Sequence, residues 1–434
     1  MDKLWISGGR RLEGEVFIEG AKNALLPLMC ASLLTDETLC LHNAPALADT
    51  HTMMYFLNHL GVQTHYHERQ KTLELNAHRL TSEKAPYDIV RKMRASILVL
   101  GPLLARYGCA HVSLPGGCAI GLRPVNLHME ALQALGADIK LEDGYIFAKI
   151  GPKGLVGGAY SFPVVSVTGT ANLLMAATLA KGETIIENAA CEPEVGDLAK
   201  CLRAMGAQIE GIGTRTLRIT GVNRLRGATH TTLPDRIETG TYILAAAITG
   251  GELLLKGGDL SLLPTFTDTL KRMGLAPRST KDGIHIKAPP PHTLKGIDII
   301  TGPYPDFPTD LQAQMMALLT VSRGKSVVRE TIFENRLMHV AELMRMGAKL
   351  DTHDHAVHIE GQEILSGAAL MATDLRASAC LVLAALAASG ESLIQRIYHL
   401  DRGYVHMERK LAACGAHIKR LSEDENPVAQ TCHH

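Results

Sequence analysis

Leu4-Trp-Ile-Ser-Gly-Gly-Arg-Arg-Leu-Glu-Gly-Glu-Val-Phe-Ile-Glu-Gly20 has the shape of a strand pair, and its counterpart stands near the other end of the chain, in Ala356-Val-His-Ile-Glu-Gly-Gln-Glu-Ile-Leu-Ser-Gly-Ala-Ala-Leu370. Working outward from that likeness exposes a repeat. A helix-ending triplet recurs as Leu60-Gly61-Val62, Leu135-Gly136-Ala137, Met205-Gly206-Ala207, Met273-Gly274-Leu275, Met346-Gly347-Ala348 and Cys414-Gly415-Ala416. The period is about 70 residues, longer than that of the short solenoid repeats. A second landmark, a turn leading into an apolar strand, keeps the same spacing at Asp36-Glu37, Gly108-Cys109, Gly182-Glu183, Gly251-Glu252, Gly324-Lys325 and Gly390-Glu391. An apolar, alanine-rich helix precedes each of these turns. Each copy therefore reads helix, strand, helix, strand, strand, with glycine where a left-handed helix stop is expected. Arg215 to Gly221 and Ala356 to Gly361 alternate as half-buried strands do.

The sixth copy runs out after Ile418 without its closing strand pair, and Leu4 to Gly20 is the missing half. An α/β protein of two domains follows. Residues 22–232 carry copies one to three; residues 1–21 and 233–422 carry copies four to six; residues 423–434 form a tail. Chain crossings near Ala21 and Leu233 would serve as the hinge, and a cleft between domains is where ligands are commonly held.

The composition, 46% hydrophobic and 20% charged over 434 residues, is that of a globular protein with cores to bury. Lys+Arg and Asp+Glu both total 44, so no global field favours a nucleic-acid or membrane surface, and an anion must be met by local groups. The nine cysteines include no C-x-x-C pair, which argues against a disulfide framework and for a reducing cytoplasm. The longest apolar stretches, residues 25–34 and 377–388, fall short of a bilayer span, and no apolar signal segment opens the chain.

Counting back 14 residues from each turn landmark gives Lys22, Arg94, Thr168, Ile237, Asp310 and Arg376. Three are cations at expected helix N-termini, where the macrodipole disfavours positive charge by roughly 0.3–1 kcal/mol each. Such placement makes sense if an anion shares the space, because free N–H groups and a neighbouring cation both bind phosphate. Solvated first-turn residues paired with local carboxylates are the plainer alternative for any one of them.

The loop Leu114-Pro-Gly-Gly-Cys-Ala-Ile-Gly-Leu-Arg-Pro124 joins a strand, residues 110–113, to a helix starting near Asn126. Its glycines permit motion, and Cys118 lies five residues before Arg123 in a setting that favours a proton donor or nucleophile. Cys30, Cys40, Cys201, Cys380 and Cys414 read instead as small apolar residues. His353-x-His355-x-x-His358 sends its third side chain to the opposite strand face, so no metal site is expected there. Gly211-x-Gly213 joins two strands and opens no helix, and no P-loop motif is present.

Longer motifs now stand in order: Gly20-Ala-Lys-Asn23, Met93-Arg-Ala-Ser96, residues 114–124, Leu233-Pro-Asp-Arg-Ile-Glu-Thr-Gly240, Phe307-Pro-Thr-Asp310, Phe333-Glu-Asn-Arg336, Ala372-Thr-Asp-Leu-Arg376 and Asp401-Arg-Gly-Tyr404. With them the chain resembles the enolpyruvyl transferase family, in particular its UDP-N-acetylglucosamine 1-carboxyvinyltransferase members, which commit precursors to bacterial peptidoglycan and so support cell shape and division. The resemblance implies an inside-out α/β barrel in each of two domains that close over substrate. It implies that the enolpyruvyl group of phosphoenolpyruvate passes to the 3'-hydroxyl of UDP-N-acetylglucosamine with release of phosphate. Lys22 and Asn23 would contact phosphoenolpyruvate. Arg94, Arg123, Pro124, Val125, Asn126, Leu127, Val165, Ser166, Val167, Asp310 and Ile332 would contact the UDP-sugar. Arg336, Asp374, Arg376 and Arg402 would complete substrate binding, and Cys118, Asp310, Lys22 and Arg402 would be catalytic. Cys118 would carry the covalent pyruvate adduct and be alkylated by fosfomycin. Asn126, where the family often has Asp, Ala48, where Lys is frequent, and a partial match at residues 165–169 are the departures from its pattern. No metal, organic cofactor, nucleic acid, membrane or obligate protein partner is implied. The alternatives are a 5-enolpyruvylshikimate-3-phosphate synthase, a catalytically silent nucleotide-sugar-binding paralogue and a protein-binding repeat scaffold.

Overall fold

The computed structural model describes residues 2–82, 84–85, 87–90, 93–114 and 125–422. Their strands form six four-stranded sheets of one topology. The third copy is a clear instance. A short edge strand, Ala159–Ser161, leads into the helix Val167–Ala177, and the chain returns in parallel as Glu183–Glu187. A second helix, Pro193–Ala204, then feeds the antiparallel hairpin Gln208–Glu210 and Thr216–Thr220. The parallel pair demands a crossover, which the helix supplies. The hairpin turns through Gly211 at φ 76°, where an added Cβ would stand 2.1 Å from the Thr216 carbonyl oxygen. Strand Thr216–Thr220 buries alternate residues and leaves one face to solvent.

Sequence reading missed the opening edge strand of every copy but the fourth, whose strand Glu13–Phe17 it assigned to the sixth. At two or three residues, as in Lys84–Ala85, Ile299–Ile300 and Ala369–Met371, such strands are too short to show alternation. The glycine stops are where they were expected: Gly61, Gly136, Gly206, Gly274, Gly347 and Gly415 all have φ between 90° and 106°.

The first helix of a copy differs in kind from the second. Leu375–Ala387 buries every residue but its last, and Arg236–Thr249 does the same. A helix apolar all round belongs inside a core, and alanines let such helices approach closely. These two and Gln312–Leu319 pack pairwise at the centre of one compact unit, with the half-exposed sheets outside them. This is the inside-out α/β arrangement. In the other unit the turn Arg94–Val99 touches both Lys22–Ala31 and Val167–Ala177.

The two units have separate cores, one drawn from residues 4–18 and 237–418 and the other from residues 21–225. Their boundaries lie at Glu19/Gly20 and Leu233/Pro234, two residues before and one after those read from the sequence. The Ala21 N–H donates to the Leu233 carbonyl at 2.8 Å within one unit, and the Asp235 N–H donates to the Glu19 carbonyl at 2.8 Å within the other.

The N-terminal segment is not a strand pair closing the sixth copy. Lys3–Ser7 alone does that, lying between Glu391–Gln395 and His417–Leu421. Glu13–Phe17 instead runs parallel to Glu252–Lys256 as the edge strand of the fourth sheet. The reason is a vacancy: Ala228–Thr231, which immediately precedes copy four, pairs with Thr38–His42 of copy one. Each unit is thus opened by an edge strand laid down just before the chain enters the other.

Candidate functional site

All six residues found by counting back from the turns stand at helix starts. Lys22 and Arg94 open their helical turns, and Thr168, Ile237, Asp310 and Arg376 are second in theirs. In the unit holding residues 234–422, two of these positions meet. Asp310 Oδ2 accepts from Arg376 Nη2 at 2.9 Å, and Asp310 Oδ1 lies 2.7 Å from Arg336 Nη2. Both guanidiniums are buried, at 4% and 5% exposure, whereas the Asp310 side chain keeps 24%. The two guanidiniums thus hold the two carboxylate oxygens in fixed directions. Burial works against the Arg376 cation, yet Asp310, Tyr404 and Asp235 together hold its pKa above the ordinary guanidinium value.

Glu330, which no motif in the sequence singles out, braces this cluster. Its Oε2 accepts from the Thr309 hydroxyl at 2.8 Å, and Arg336 Nη1 donates to that same hydroxyl at 2.9 Å. Its Oε1 accepts from the N–H groups of Ile332 at 2.8 Å and Phe333 at 3.1 Å and from the Thr301 hydroxyl at 3.0 Å. Ile332 is therefore fixed through its backbone. Lone carboxylates at strand ends are usually solvated, so only the fold identifies this one.

Asp374 caps the helix Leu375–Ala387, accepting from the N–H groups of Arg376 at 2.8 Å and Ala377 at 3.1 Å, an arrangement worth about 1 kcal/mol. Its place before an apolar helix carried that signal in the sequence. Arg402 ends the turn Ile397–Arg402 and is half-buried. Burial first, then Arg402, lowers the pKa of nearby His399, with Asp374 opposing.

In the other unit, Lys22 Nζ lies 3.4 Å from Asp49 Oδ2, both side chains largely buried, and Asn23 follows it half-buried. Arg94 acts on His128, whose pKa is lowered to about 4 by burial and, secondarily, by Arg94. His128 Nδ1 is 3.0 Å from Asn172 Nδ2 and Nε2 is 3.2 Å from Thr168 Oγ1. Ser166 caps Val167–Ala177 by accepting the Gly169 N–H at 3.1 Å, while Val165 is half-buried and Val167 exposed. Val125 is half-buried, Leu127 enters the core, and Asn126 Nδ2 donates to Glu130 Oε1 at 3.1 Å on the surface. Cys118, Arg123 and Pro124 lie outside the described residues.

Six other thiols are pushed up by burial: Cys201 to about 12, and Cys30, Cys40, Cys191, Cys380 and Cys414 likewise upward. None of these six is an activated thiolate. His353 and His358 lie on the two strands of a hairpin, with ring centroids 5.7 Å apart, and His355 is in its turn.

Comparison with known proteins puts the chain in the class of enolpyruvyl transferases. The profile of the EPSP synthase family (3-phosphoshikimate 1-carboxyvinyltransferase) matches residues 6–411, and the chain belongs to that family. Among curated relatives, the UDP-N-acetylglucosamine 1-carboxyvinyltransferase of Dinoroseobacter shibae is 56% identical over 98% of this chain and all of that protein. The protein of the same name from Paramagnetospirillum magneticum is 54% identical over 98% of this chain and 99% of its own. Among solved structures, the enolpyruvyl transferase NikO from Streptomyces tendae superposes with a TM-score of 0.87, covering 96% of this chain and 98% of that one at 24% identity. The EPSP synthase of Acinetobacter baumannii gives 0.74 at 20% identity, covering 97% of this chain and all of its own. At these identities the two structures speak for the fold.

Proposed function

We propose that the chain transfers the enolpyruvyl group of phosphoenolpyruvate to the 3'-hydroxyl of UDP-N-acetylglucosamine, releasing phosphate. The observation that carries this reading is end-to-end identity of 54–56% with relatives named for that reaction. The helix-start residues supply a physical rationale. Both reactants are strongly anionic, and Lys22, Arg94, Arg336 and Arg376 are cations fixed by the fold. Fixed cations of this kind need no reorganisation as charge develops.

In the proposed mechanism Lys22 and Asn23 hold phosphoenolpyruvate, with Arg123 and Arg402 adding positive charge. Arg94, residues 123–127 and 165–167, Asp310 and Ile332 hold the UDP-sugar. Asp310 accepts the 3'-hydroxyl proton as that oxygen bonds to C2, and Cys118 delivers a proton to C3. The resulting ketal loses a C3 proton and phosphate, which restores the double bond. Arg336 and Arg376 fix the Asp310 carboxylate for its part, and Asp374 fixes the helix that bears Arg376. The reading places the reaction in the cytoplasm, where both reactants occur, at the entry to peptidoglycan precursor synthesis.

Phosphate release from phosphoenolpyruvate is the test, measured with UDP-N-acetylglucosamine, with shikimate 3-phosphate and with neither. Release with the UDP-sugar alone is expected. Release only with shikimate 3-phosphate would reassign the acceptor, and none with either would leave a nucleotide-sugar-binding paralogue.

A further inference from the structure

Tyr404 is the buried group on which the Asp310–Arg376 pair rests. It closes the motif Asp401-Arg-Gly-Tyr404 and is 2% exposed. Its hydroxyl oxygen accepts from Arg376 Nη1 at 3.3 Å and from Gln314 Nε2 at 3.3 Å, and it lies 2.9 Å from Thr241 Oγ1. The direction of that last bond follows from its neighbours. Thr241 spends its own proton on the Ile237 carbonyl at 2.8 Å, so the Tyr404 proton must point to Thr241 and the Tyr404 lone pairs to Arg376 and Gln314. Gln314 Nε2 gives one proton to the Asp310 carbonyl at 3.0 Å and shares the other between the Tyr404 hydroxyl and Thr241 Oγ1, the latter at 3.2 Å. The chain of bonds ends on a backbone carbonyl, which has no proton to pass on. It can orient groups but cannot relay a proton.

We propose that Tyr404 is a positioning residue for the transfer reaction. Its hydroxyl holds the second arm of Arg376, whose first arm holds Asp310, and through Gln314 it also ties down the Asp310 backbone. The carboxylate is thereby aimed from three central helices at once, those bearing Thr241, Gln314 and Arg376. Without the hydroxyl the guanidinium loses a buried acceptor, and the Asp310 oxygens are freed from one fixed direction. A misaimed acceptor slows the chemical step more than it weakens binding.

The inference rests on the reaction proposed above. Tyr404→Phe, in the full chain, keeps the ring and its packing and removes only the hydroxyl. Steady-state phosphate release should show kcat reduced about ten- to a hundredfold, the rate equivalent of one lost bond to a charged group. KM for phosphoenolpyruvate and for the UDP-sugar should each stay within about twofold. Thr241→Val, which removes the acceptor of the tyrosine proton, should lower kcat in the same direction and serves if Tyr404→Phe does not fold. An unchanged kcat in either folded variant overturns the proposal, as does a loss confined to KM, which a general loosening of the unit would produce. A silent wild-type chain in the same assay instead overturns the reaction assignment, and this inference with it.

Discussion

Mild acid should destabilise the unit built from residues 20–233 through one side chain, His128. Asn172 sets its state: Oδ1 takes the Gly101 N–H at 2.6 Å, so the amide nitrogen faces His128 Nδ1 at 3.0 Å and the Ile97 carbonyl at 3.1 Å. Nδ1 is therefore the acceptor, and the imidazole proton sits on Nε2, directed at Thr168. A second proton would meet the Asn172 amide and the Arg94 cation in a site 4% exposed, and burial lowers the pKa from 6.5 to about 4. A histidine depressed in the folded state costs nothing above about pH 6.5; stability is lost between there and about pH 4, where the unfolded chain takes up a proton that the native state refuses. Between pH 7 and pH 5 this amounts to about 2 kcal/mol. Urea unfolding at the two pH values, in wild type and in His128→Gln, measures it. Glutamine can bridge Asn172 and Thr168 without titrating, so the variant should lose about 2 kcal/mol less on acidification, whatever its stability at pH 7. Equal pH sensitivity in the two proteins would refute a buried neutral imidazole, as would an imidazole titrating near 6.5 by nuclear magnetic resonance.

Cys118→Ala should abolish covalent labelling by fosfomycin and most turnover at neutral pH; mass spectrometry of the treated protein checks it, and persistent labelling removes Cys118 from its role. Asp310→Ala should cut kcat at least a hundredfold while calorimetric affinity for the UDP-sugar falls far less, the signature of a group acting in the transition state. A drop in affinity alone would make Asp310 a binding residue only. Ile6→Ala, fully buried in the strand that closes the sixth sheet, should cost about 3 kcal/mol in urea unfolding. Phe17→Ala, at 60% exposure on the strand opening the fourth, should cost less than about 1 kcal/mol.

What could be read from the sequence was whatever is fixed locally. Gly206 or Gly274 after an apolar helix reports a positive φ that only the backbone beside it demands. The equivalence of Lys22, Asp310 and Arg376 followed from counting, since each copy keeps the same spacing between its first helix start and the following turn. What could not be read was set by distant partners. Residues 13–17 look no different in sequence from a strand that would close copy six; their place beside Glu252–Lys256 depends on the absence of another edge strand there. Glu330 likewise looks like any strand-end carboxylate until Thr301, Thr309 and the Ile332 N–H converge on it. The Arg376–Tyr404 bond spans 28 residues and two elements, so neither partner announces the other.

The same division between local and distant bears on the order of assembly. The described residues between 20 and 233 form one unit whose last strand, Ala228–Thr231, pairs with Thr38–His42, so its sheets are complete once residue 233 has been made. The other unit is discontinuous. Its sixth sheet joins Lys3 to Leu421, and its fourth joins Val16 to Leu255, so it cannot be completed until nearly the whole chain is present. Loop-closure entropy must be met before such contacts form, so this unit is expected to be the slower to fold. Asp310, Arg336, Arg376 and Tyr404 all belong to it. The most tightly bonded part of the candidate site therefore belongs to the unit expected to be completed last.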